Sequence, residues 1–451
     1  MTDVLEPERR TRVRAHVDVV VCGGGPAGVG AAFAAARAGA NTLVVEHYGC
    51  LGGCATSGML NRLGPYHDQE KMIVGGIPFE ILERLVKLDA AIMPRPAPWG
   101  GVDGPNADYW APFDPETLKF VLDTMAEEAG VSVLFDTKVA GAIVASGKVQ
   151  GVFIESKSGR EASLAKVVID ATGDGDVAAS AGAAYEQGRP ADGLTQPIGL
   201  FSKVHNLGRD EAVTFLEQHR QEMLLEAEGR GETLPRPIFA GYGAGSDNLL
   251  RADETYYNAD HVHGADATNV AEISRAWVEA RKQIWQSYGF AKRNVPGYER
   301  AYIAATGAML GVRESRRVLG EYVLTGDDVL ASRKFPDAIA RYACYIDVHA
   351  VGSPGQESTY NRKSPQAGTS YDIPYRCLVP QEVENLLVAG RCFSATHEAL
   401  ASARMMPCCM AMGQAAGTAA ALAAGQGTPP RKVDVAALRQ SLLAQGVSLD
   451  L

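Results

Sequence analysis

Residues 17–28 of the chain read VDVVVCGGGPAG, and this stretch decides the fold. The β-branched run at its start carries little charge and is typical of a parallel strand that is buried on both faces. It leads directly into a G-x-G-x-x-G motif formed by Gly23, Gly25 and Gly28. Residues 29–40 are alanine-rich and predict a helix, and residues 41–45 predict a second apolar strand. This order of elements predicts a βαβ unit within an α/β fold.

Each glycine of this motif has its own physical role. The first allows a tight turn, the second lets the backbone approach a pyrophosphate, and the third lets helix and strand pack closely. The helix N-terminus that follows presents free N–H groups and a positive dipole end to an anion. Glu46 stands 18 residues after Gly28, where a carboxylate can accept the hydroxyls of an adenosine ribose. The motif therefore predicts a dinucleotide site near the N-terminus.

Composition places the chain among soluble globular proteins. It has 451 residues, of which 46% are hydrophobic and 21% charged, which is enough for two or three domains. A formal net charge of −10 argues against nucleic acid or an anionic membrane surface as a partner. We find no apolar run long enough to span a bilayer, and we expect residues 1–16 to be a frayed tail without a signal peptide.

The eight cysteines are scattered, mostly in apolar or glycine-rich surroundings. This pattern predicts reduced thiols and a cytoplasmic location.

The first part of the chain predicts further elements of the same domain. Residues 75–90 predict an amphipathic helix, and Asp114 predicts the cap of a helix that runs to Ala129. Between them, residues 94–115 predict a loop that forms a lid or wall and carries Trp99, Tyr109 and Trp110. Three strand-like runs, 131–135, 138–145 and 149–156, predict a small β-meander. Residues 166–170 then predict a buried strand that ends in a turn at Ala171, Thr172 and Gly173.

The character of the chain changes near residue 187. Residues 187–345 contain long polar helices, near 208–228 and 267–288, and predict an inserted α+β substrate or cap domain. The glycine run 241–245 predicts a loop. His261 and His263 stand as H-x-H, but no third ligand is near in sequence, which argues against a metal site. Residues 346–451 predict a return to the first domain, with a strand at 385–389 and a small-residue helix from about 406 to 424.

Seven segments, in one order, resemble the FAD-dependent oxidoreductase family of the glutathione-reductase-like superfamily, a distant relative of the fumarate reductase flavoproteins. They are CGGGPAG, Glu46 with LGGCATSG, GGIPFEIL, VVIDATGDGDVAASAG, RESRRVLGEYVLTGDDV, DIPYRCLVP and NLLVAGRCFSATHEALASARMMPCCMAMGQAAGTAAAL. The resemblance implies FAD as cofactor and a Rossmann-like FAD-binding domain of the glutathione-reductase type, with a parallel sheet and a β-meander. That domain is discontinuous, over residues 1–186 and 346–451, and 187–345 is the inserted domain.

The resemblance also implies which residues bind FAD. Those expected to hold the ADP half are Gly23, Gly25, Pro26, Ala27, Gly28 and Glu46. Gly52, Gly53 and Thr56 are expected to run toward the flavin, and Val139 to meet the adenine through its backbone. Ala171, Thr172 and Gly173 would pack near the cofactor. Gly390 and Arg391 would meet the ribityl chain and the pyrophosphate, although many superfamily members have an acid at the position of Arg391.

Two thiols stand close to these cofactor residues. Cys50 and Cys54 have the spacing C-x3-C, whereas disulfide-reductase flavoproteins need C-x4-C. A redox dithiol therefore competes with a simpler interpretation, in which both are small residues in a crowded loop. A covalent bond from His47, Cys50 or Cys54 to the flavin is a further alternative.

His397 and Arg404 are the candidate catalytic residues. His397 can act as a general base toward a hydroxyl or amine while hydride leaves for flavin N5. Arg404 can fix a substrate carboxylate or stabilise the reduced flavin anion. The alternative is that both residues only orient the loop. The arginines of RESRR, residues 313–317, predict an ion network at a domain interface, with one of them as a possible substrate contact.

Three functions are compatible with the sequence. The first is an FAD-dependent dehydrogenase or oxidase of a small polar molecule, which passes electrons to an external acceptor. The second is a flavin-dependent reductase of an activated C=C bond, of the fumarate reductase kind, with an arginine as proton donor. The third is a non-catalytic flavin-binding partner protein. A small-molecule substrate is expected in the first two, and oligomerisation is open in all three.

Overall fold

A computed structural model describes residues 4, 8–98, 110–231, 250–251, 253–258, 260–349 and 362–449. The helices are Pro26–Arg37 (α1), Ile77–Lys87 (α2), Pro115–Ala129 (α3), Asp176–Ser180 (α4), Arg209–Gly229 (α5), Val270–Asn294 (α6), Gly326–Leu330 (α7), His397–Ala403 (α8), Met406–Gln426 (α9) and Val435–Ala444 (α10). The strands are Arg12–Cys22 (β1), Thr42–Val45 (β2), Arg62–Leu63 (β3), Ala111–Pro112 (β4), Ser132–Leu134 (β5), Lys138–Ala145 (β6), Lys148–Ser156 (β7), Gly159–Asp170 (β8), Tyr185–Gln187 (β9), Ser202–His205 (β10), Thr255–Tyr257 (β11), Tyr302–Thr306 (β12), Arg316–Val318 (β13), Ala338–Tyr342 (β14), Tyr371–Pro374 (β15) and Leu386–Val388 (β16).

The main sheet is built around β1. Its strand order is β5-β2-β1-β8-β7-β6, with β16 paired to β8. Strands β5, β2, β1, β8 and β16 are mutually parallel, and Val19, Val20 and Val21 are fully buried. The predicted α/β fold with a parallel sheet and a β-meander is confirmed. Strand β16, from the C-terminal part of the chain, completes the sheet laid down by the N-terminal part.

The meander consists of β6, β7 and the first half of β8, which pair antiparallel. Placing residues 131–135 in the meander was wrong, because β5 pairs parallel with β2 at the far edge of the main sheet. The expected frayed tail also needs correction. Residues Arg12 to His16 extend β1 and pair with Glu161 to Leu164 of β8, so the backbone hydrogen bonds of the sheet order them.

Helices α1 and α9 pack at unusually close range. A Cβ added at Gly413 would lie 1.9 Å from the Ala27 carbonyl oxygen, and one at Gly417 would lie 2.0 Å from that of Ala31. Gly30 of α1 meets the Met410 carbonyl in the same way, at 2.2 Å. The small residues of α9 therefore let its backbone lie against the helix that starts the cofactor motif.

Helix α9 corrects the expectation that no apolar run is long enough to span a bilayer. Among the described residues it is the one helix long and apolar enough to cross a membrane, by length and composition only. In its most apolar 18-residue window, 83% is buried inside the protein. Burial against α1 and the sheet accounts for this composition, since a core helix is apolar all round.

The region between β9 and β13 forms its own small cores. One surrounds β10, β11 and the two long helices α5 and α6, and another lies between α6 and residues 198–200 and 310. Residues of α7 and β14 pack instead in the large core with α1 and α9. The division at residues 187 and 345 stays a prediction. The 241–245 run and most of the predicted 94–115 loop, with Trp99 and Tyr109, lie outside the described residues.

Candidate active site

The turn between β1 and α1 is as tight as the motif predicts. Gly23 has φ +96°, and a Cβ there would lie 2.5 Å from the carbonyl oxygen of Ala171. A Cβ at Gly28 would lie 1.8 Å from the Gly23 carbonyl oxygen. Helix α1 begins with Pro26 at its first position and Gly25 as a cap without a side-chain hydrogen bond. The first N–H groups of the helix, Ala27 among them, are thus left for an anion.

Glu46 lies at the end of β2, beside this turn. One oxygen of its carboxylate accepts from the Gly24 N–H at 2.6 Å, and the other accepts from the Tyr48 N–H at 2.7 Å. Burial raises the pKa of Glu46, although these N–H donors act in the opposite direction. Each oxygen keeps a second lone pair for a hydroxyl donor. Gly24 was not among the predicted site residues, although it stands inside the motif.

The glycine loop after Glu46 folds back onto the turn. Gly52 donates from its N–H to the Gly24 carbonyl at 2.7 Å, and a Cβ at Gly53 would lie 2.9 Å from the Gly25 Cα. The Thr56 hydroxyl donates to the Leu51 carbonyl at 2.6 Å, so Thr56 shapes the loop from inside. Val139 lies in β6, and Thr137 just before it donates to the Glu46 carbonyl at 3.0 Å. These residues surround one cradle.

Both thiols of this loop are free. The Cys50 sulfur lies 3.3 Å from the Ser57 hydroxyl, and burial raises the pKa of Cys54, which disfavours its reactive thiolate. These observations favour the interpretation of Cys50 and Cys54 as small residues in a crowded loop.

The opposite side of the cradle comes from β8 and β16. Ala171 donates from its N–H to the Cys22 carbonyl at 2.9 Å, and Thr172 bonds the buried carboxylate of Asp170 at 2.7 Å. A Cβ at Gly173 would lie 2.6 Å from Nη2 of Arg391, so the guanidinium covers this glycine.

Gly390 and Arg391 follow β16 directly. Gly390 has φ +86° and abuts Ala27 of α1, at 2.9 Å from the position of an added Cβ. Arg391 pairs with Asp174 at 3.1 Å, and its Nη1 is buried without a hydrogen-bond partner in the described part of the chain. The uncapped helix N-terminus and the buried guanidinium N–H of Arg391 can donate to a pyrophosphate, and the Glu46 carboxylate can accept from ribose hydroxyls. The residues present fit FAD.

His397 is held by a buried pair of charges. It was expected in a loop, but it is the first residue of α8, because the Thr396 hydroxyl caps that helix by accepting from the Ala399 N–H. Its Nδ1 lies 2.8 Å from the carboxylate of Glu314, which in turn pairs with Arg317. All three side chains are at most 2% exposed.

This arrangement selects the tautomer of the neutral imidazole. An ionised carboxylate only accepts hydrogen bonds, so Nδ1 of His397 carries the proton and donates to Glu314. The Nε2 atom is buried and has no partner among the residues that the structure describes. Its lone pair is consequently available to a ligand, as in a histidine that acts as a general base.

Arg404 lies at the C-terminal end of the same short helix. Its Nη2 donates to the backbone carbonyl of Asp347 at 2.9 Å and to the Asp347 carboxylate at 3.0 Å. Asp347 also pairs with Nε2 of His349 at 3.2 Å. Arg404 stands seven positions after His397, so at a rise of 1.5 Å per residue their Cα atoms are about 10 Å apart.

Arginines of the RESRR segment connect these groups to the inserted region. Arg313 donates to the Pro197 carbonyl at 2.6 Å and lies 3.3 Å from Nε2 of His261. The ring of His261 lies against that of His349, with centroids 4.9 Å apart. No group of ligands that could hold a metal ion is found among the described residues.

Four residues of this site were missed in the sequence: Gln196, Glu314, Asp347 and His349. Glu314 stood in a quoted segment, but its neighbours in sequence are arginines, and only the fold brings it to His397. Asp347 and His349 carry no local motif. Their one signal is a D-x-H pattern near the end of the inserted region, which is common by chance.

Comparison with known proteins identifies the class. The model of the family described as FAD dependent oxidoreductase matches residues 18–442, nearly the whole chain. The chain belongs to this family.

Two curated relatives are thiamine thiazole synthases of archaea. The one from Methanococcus vannielii is 31% identical over 166 residues, which cover 35% of this chain and 56% of the relative. The one from Methanococcus aeolicus is 33% identical over 167 residues, covering 35% and 55%. The matches thus span about half the length of these relatives.

Solved structures with similar folds include a geranylgeranyl bacteriochlorophyll reductase-like protein from Thermoplasma acidophilum. It is 13% identical, covers 96% of this chain and 82% of its own, and has a TM-score of 0.40. A flavin-dependent brominase is 12% identical, covers 95% and 83%, and has a TM-score of 0.44.

Proposed function

We propose that the protein oxidises a small polar organic molecule by hydride transfer to the flavin, with His397 as general base. The observation that carries this proposal is the His397–Glu314 pair, in which one imidazole nitrogen is held by a buried carboxylate and the other is buried and bare. Bound FAD supplies the electron acceptor, because flavin N5 takes a hydride from carbon. The residues of the chain then have to bind, orient and deprotonate the substrate.

The proton is taken by Nε2 of His397. When a C–H hydride leaves the substrate, the adjacent O–H or N–H proton passes to Nε2, and a C=O or C=N bond forms, so charge and atoms balance. The resulting imidazolium faces the Glu314 carboxylate, which stabilises it as the aspartate of a catalytic triad does. Arg317 pairs with that carboxylate. The guanidinium of Arg317 is itself fixed by hydrogen bonds that it donates to the carbonyls of Ala395 and Gly188, both at 2.9 Å.

The predicted cofactor residues complete the proposal. Gly23, Gly25, Pro26, Ala27 and Gly28 would face the pyrophosphate, Glu46 the ribose, and Arg391 the anionic part of FAD. Strands β1, β2, β8 and β16 are parallel, so their carboxyl ends lie at the same edge of the sheet. Ligands of open α/β sheets bind at that edge, which supports this assignment.

Anaerobic mixing of the FAD-loaded protein with a library of alcohols, amines and unsaturated acids tests this function. We expect one alcohol or amine to bleach the flavin absorption. If only external reductants bleach it and an unsaturated acid restores the colour, the protein is a C=C reductase instead. If no compound bleaches the flavin or restores its colour, the protein is a non-catalytic flavin-binding partner, and neither the oxidase nor the reductase function holds.

A cytoplasmic location belongs to the same proposal. All eight cysteines are free thiols, as in a reducing compartment. Reoxidation of the flavin by an external acceptor remains a prediction, and oligomerisation of the protein remains open.

A further inference from the structure

Two buried N–H donors of side chains that contact residues 347–349 have no acceptor within the described ranges. They are Nε2 of Gln196, a side chain that is 1% exposed, and Nε of Arg404. Burial of a donor without an acceptor costs free energy, so such donors indicate a ligand with acceptor atoms.

Both donors belong to side chains that flank one short segment, residues 347–349. Gln196 accepts from the His349 N–H through Oε1 at 3.3 Å, and Arg404 donates through Nη2 to Asp347. The same segment thus orients both side chains. The Gln196 N–H also donates to the Glu314 carboxylate at 3.2 Å, which is the carboxylate that holds His397. Contacts with residues 347–349 and with Glu314 therefore connect the side chains of Gln196 and Arg404 to the proposed base.

Arginine side chains influence the titration of both titratable residues of this segment. Burial alone would raise the pKa of Asp347, yet His349, Arg404 and Arg313 hold it well below its usual range. Burial, together with the charge of Arg313, lowers the pKa of His349 to about 4. The charges of Arg313 and Arg404 thus favour the ionised carboxylate of Asp347 and add to the effect of burial on His349.

We propose that Arg404 and Gln196 bind a carboxylate of the substrate, so that the substrate is a small carboxylic acid with a hydroxyl or amino group facing His397. The two free donors match the two oxygens of one carboxylate, whereas inorganic phosphate has four oxygens. The oxidised group rests on the proposed function, but the carboxylate subsite does not depend on it.

Ligand binding to the oxidised FAD-loaded enzyme tests the subsite without turnover. The probes are acetate, glycolate and oxalate, each compared with its amide and with inorganic phosphate at equal ionic strength. Binding is followed by the change in the visible flavin spectrum. We expect at least one acid to bind roughly 10- to 100-fold more tightly than its amide, as for hydrogen bonds to a charged group.

Substitution then assigns the preference to residues. Gln196→Leu and Arg404→Gln should each reduce this preference for the acid about 10-fold or more. The control is Arg84→Gln, which removes an arginine from an ion pair on α2 and should leave the preference unchanged. FAD content is measured for each variant, and if Arg404→Gln loses FAD, the comparison of Gln196→Leu with wild type decides.

The outcomes separate this inference from the proposed function. Equal binding of acids and amides, or tighter binding of phosphate than of any acid, overturns the carboxylate subsite. An uncharged alcohol that bleaches the flavin at the same rate in wild type and Gln196→Leu overturns it too, although the oxidase function would stand. If acids bind as expected but no hydroxy or amino acid bleaches the flavin, the subsite stands and the proposed function fails.

Discussion

The cofactor cradle and the residues around His397 are built in opposite ways. We call the latter the polar wall; its members are Gln196, Glu314, Arg317, Asp347, His397 and Arg404. In the cradle, glycines bring backbone against backbone, as where Gly28 touches Gly23 and where Gly413 touches Ala27. At the polar wall, ionised side chains such as Glu314 and Arg317 are buried together, and polar atoms of His397 and Gln196 have no partner in the described part of the protein. The first region maximises close packing, and the second preserves unsatisfied polar groups for a ligand.

The largest effect is expected from Gly28→Ala in the cradle. The added Cβ would lie 1.8 Å from the Gly23 carbonyl oxygen, so the turn has to open, and we expect the purified protein to retain almost no FAD. Flavin content is measured from the visible absorption per chain. Gly425→Ala in α9 is the matched control, because a Cβ there meets nothing within 4 Å. A yellow Gly28→Ala protein would contradict the tight turn.

At the polar wall, Glu314→Gln should give the next largest effect. The change keeps the shape but leaves the Arg317 charge buried without its main partner, and unpairing a buried ion pair costs about 3–5 kcal/mol of unfolding free energy. Urea unfolding measures this loss. Glu186→Gln is the control, since Glu186 also pairs with Arg317 but is 56% exposed, and it should change stability by less than about 1 kcal/mol. Equal losses in the two variants would refute the buried pair.

Helix packing in the cradle is tested by Gly417→Ala. Its Cβ would lie 2.0 Å from the Ala31 carbonyl oxygen and would force α1 and α9 apart, with an expected loss of about 1–3 kcal/mol in unfolding free energy. Urea unfolding of the FAD-free protein measures it against Gly425→Ala, which should be neutral or slightly stabilising. A stability equal to that of the control would show that the two helices are not in backbone contact.

The sequence predicts the cradle far better than the polar wall, for a physical reason. A backbone cradle needs glycines at fixed local spacings, so Gly23, Gly28 and Glu46 can be recognised from one short stretch. The polar wall is assembled from side chains such as Gln196, Glu314 and Asp347, which lie far apart in sequence and carry no common spacing. Of this wall, His397 and Arg404 were predicted as catalytic residues, because they follow the last strand of the sheet, and Arg317 was predicted as part of an ion network.

The errors in the fold have a similar origin. Strand β5 was misassigned because an apolar pattern predicts that a strand exists but not which strand it pairs with. The start of β1 was missed because its charged residues carry no apolar pattern, and only pairing with β8 orders them. For His397, the Thr396 cap was overlooked in a run of small residues that otherwise reads as loop.

A pH-dependent effect is expected from Asp170 in the cradle. Burial raises the pKa of this carboxyl to about 6, above its value of 3.8 in an unfolded chain. Between these values the folded protein binds more protons than the unfolded one, so this contribution to stability is present below pH 4 and is lost as the pH rises to about 6.

One pKa unit corresponds to about 1.4 kcal/mol, so the shift of Asp170 from 3.8 to about 6 lowers the unfolding free energy by about 3 kcal/mol over the whole titration. Asp170→Asn removes the titration. Urea unfolding at pH 4.5 and 7 should show a decrease for wild type that is smaller in the variant, and parallel changes in the two proteins would exclude Asp170 as its source.

The rate of anaerobic flavin reduction in His397→Ala, compared with wild type, tests the central claim most directly. The compound is the one that bleaches the wild-type protein, both proteins are fully loaded with FAD, and His219→Ala, on the exposed face of α5, is the control. Loss of a general base predicts reduction slower by about 100- to 10,000-fold in His397→Ala and unchanged in the control. Reduction of His397→Ala at the wild-type rate would contradict the account.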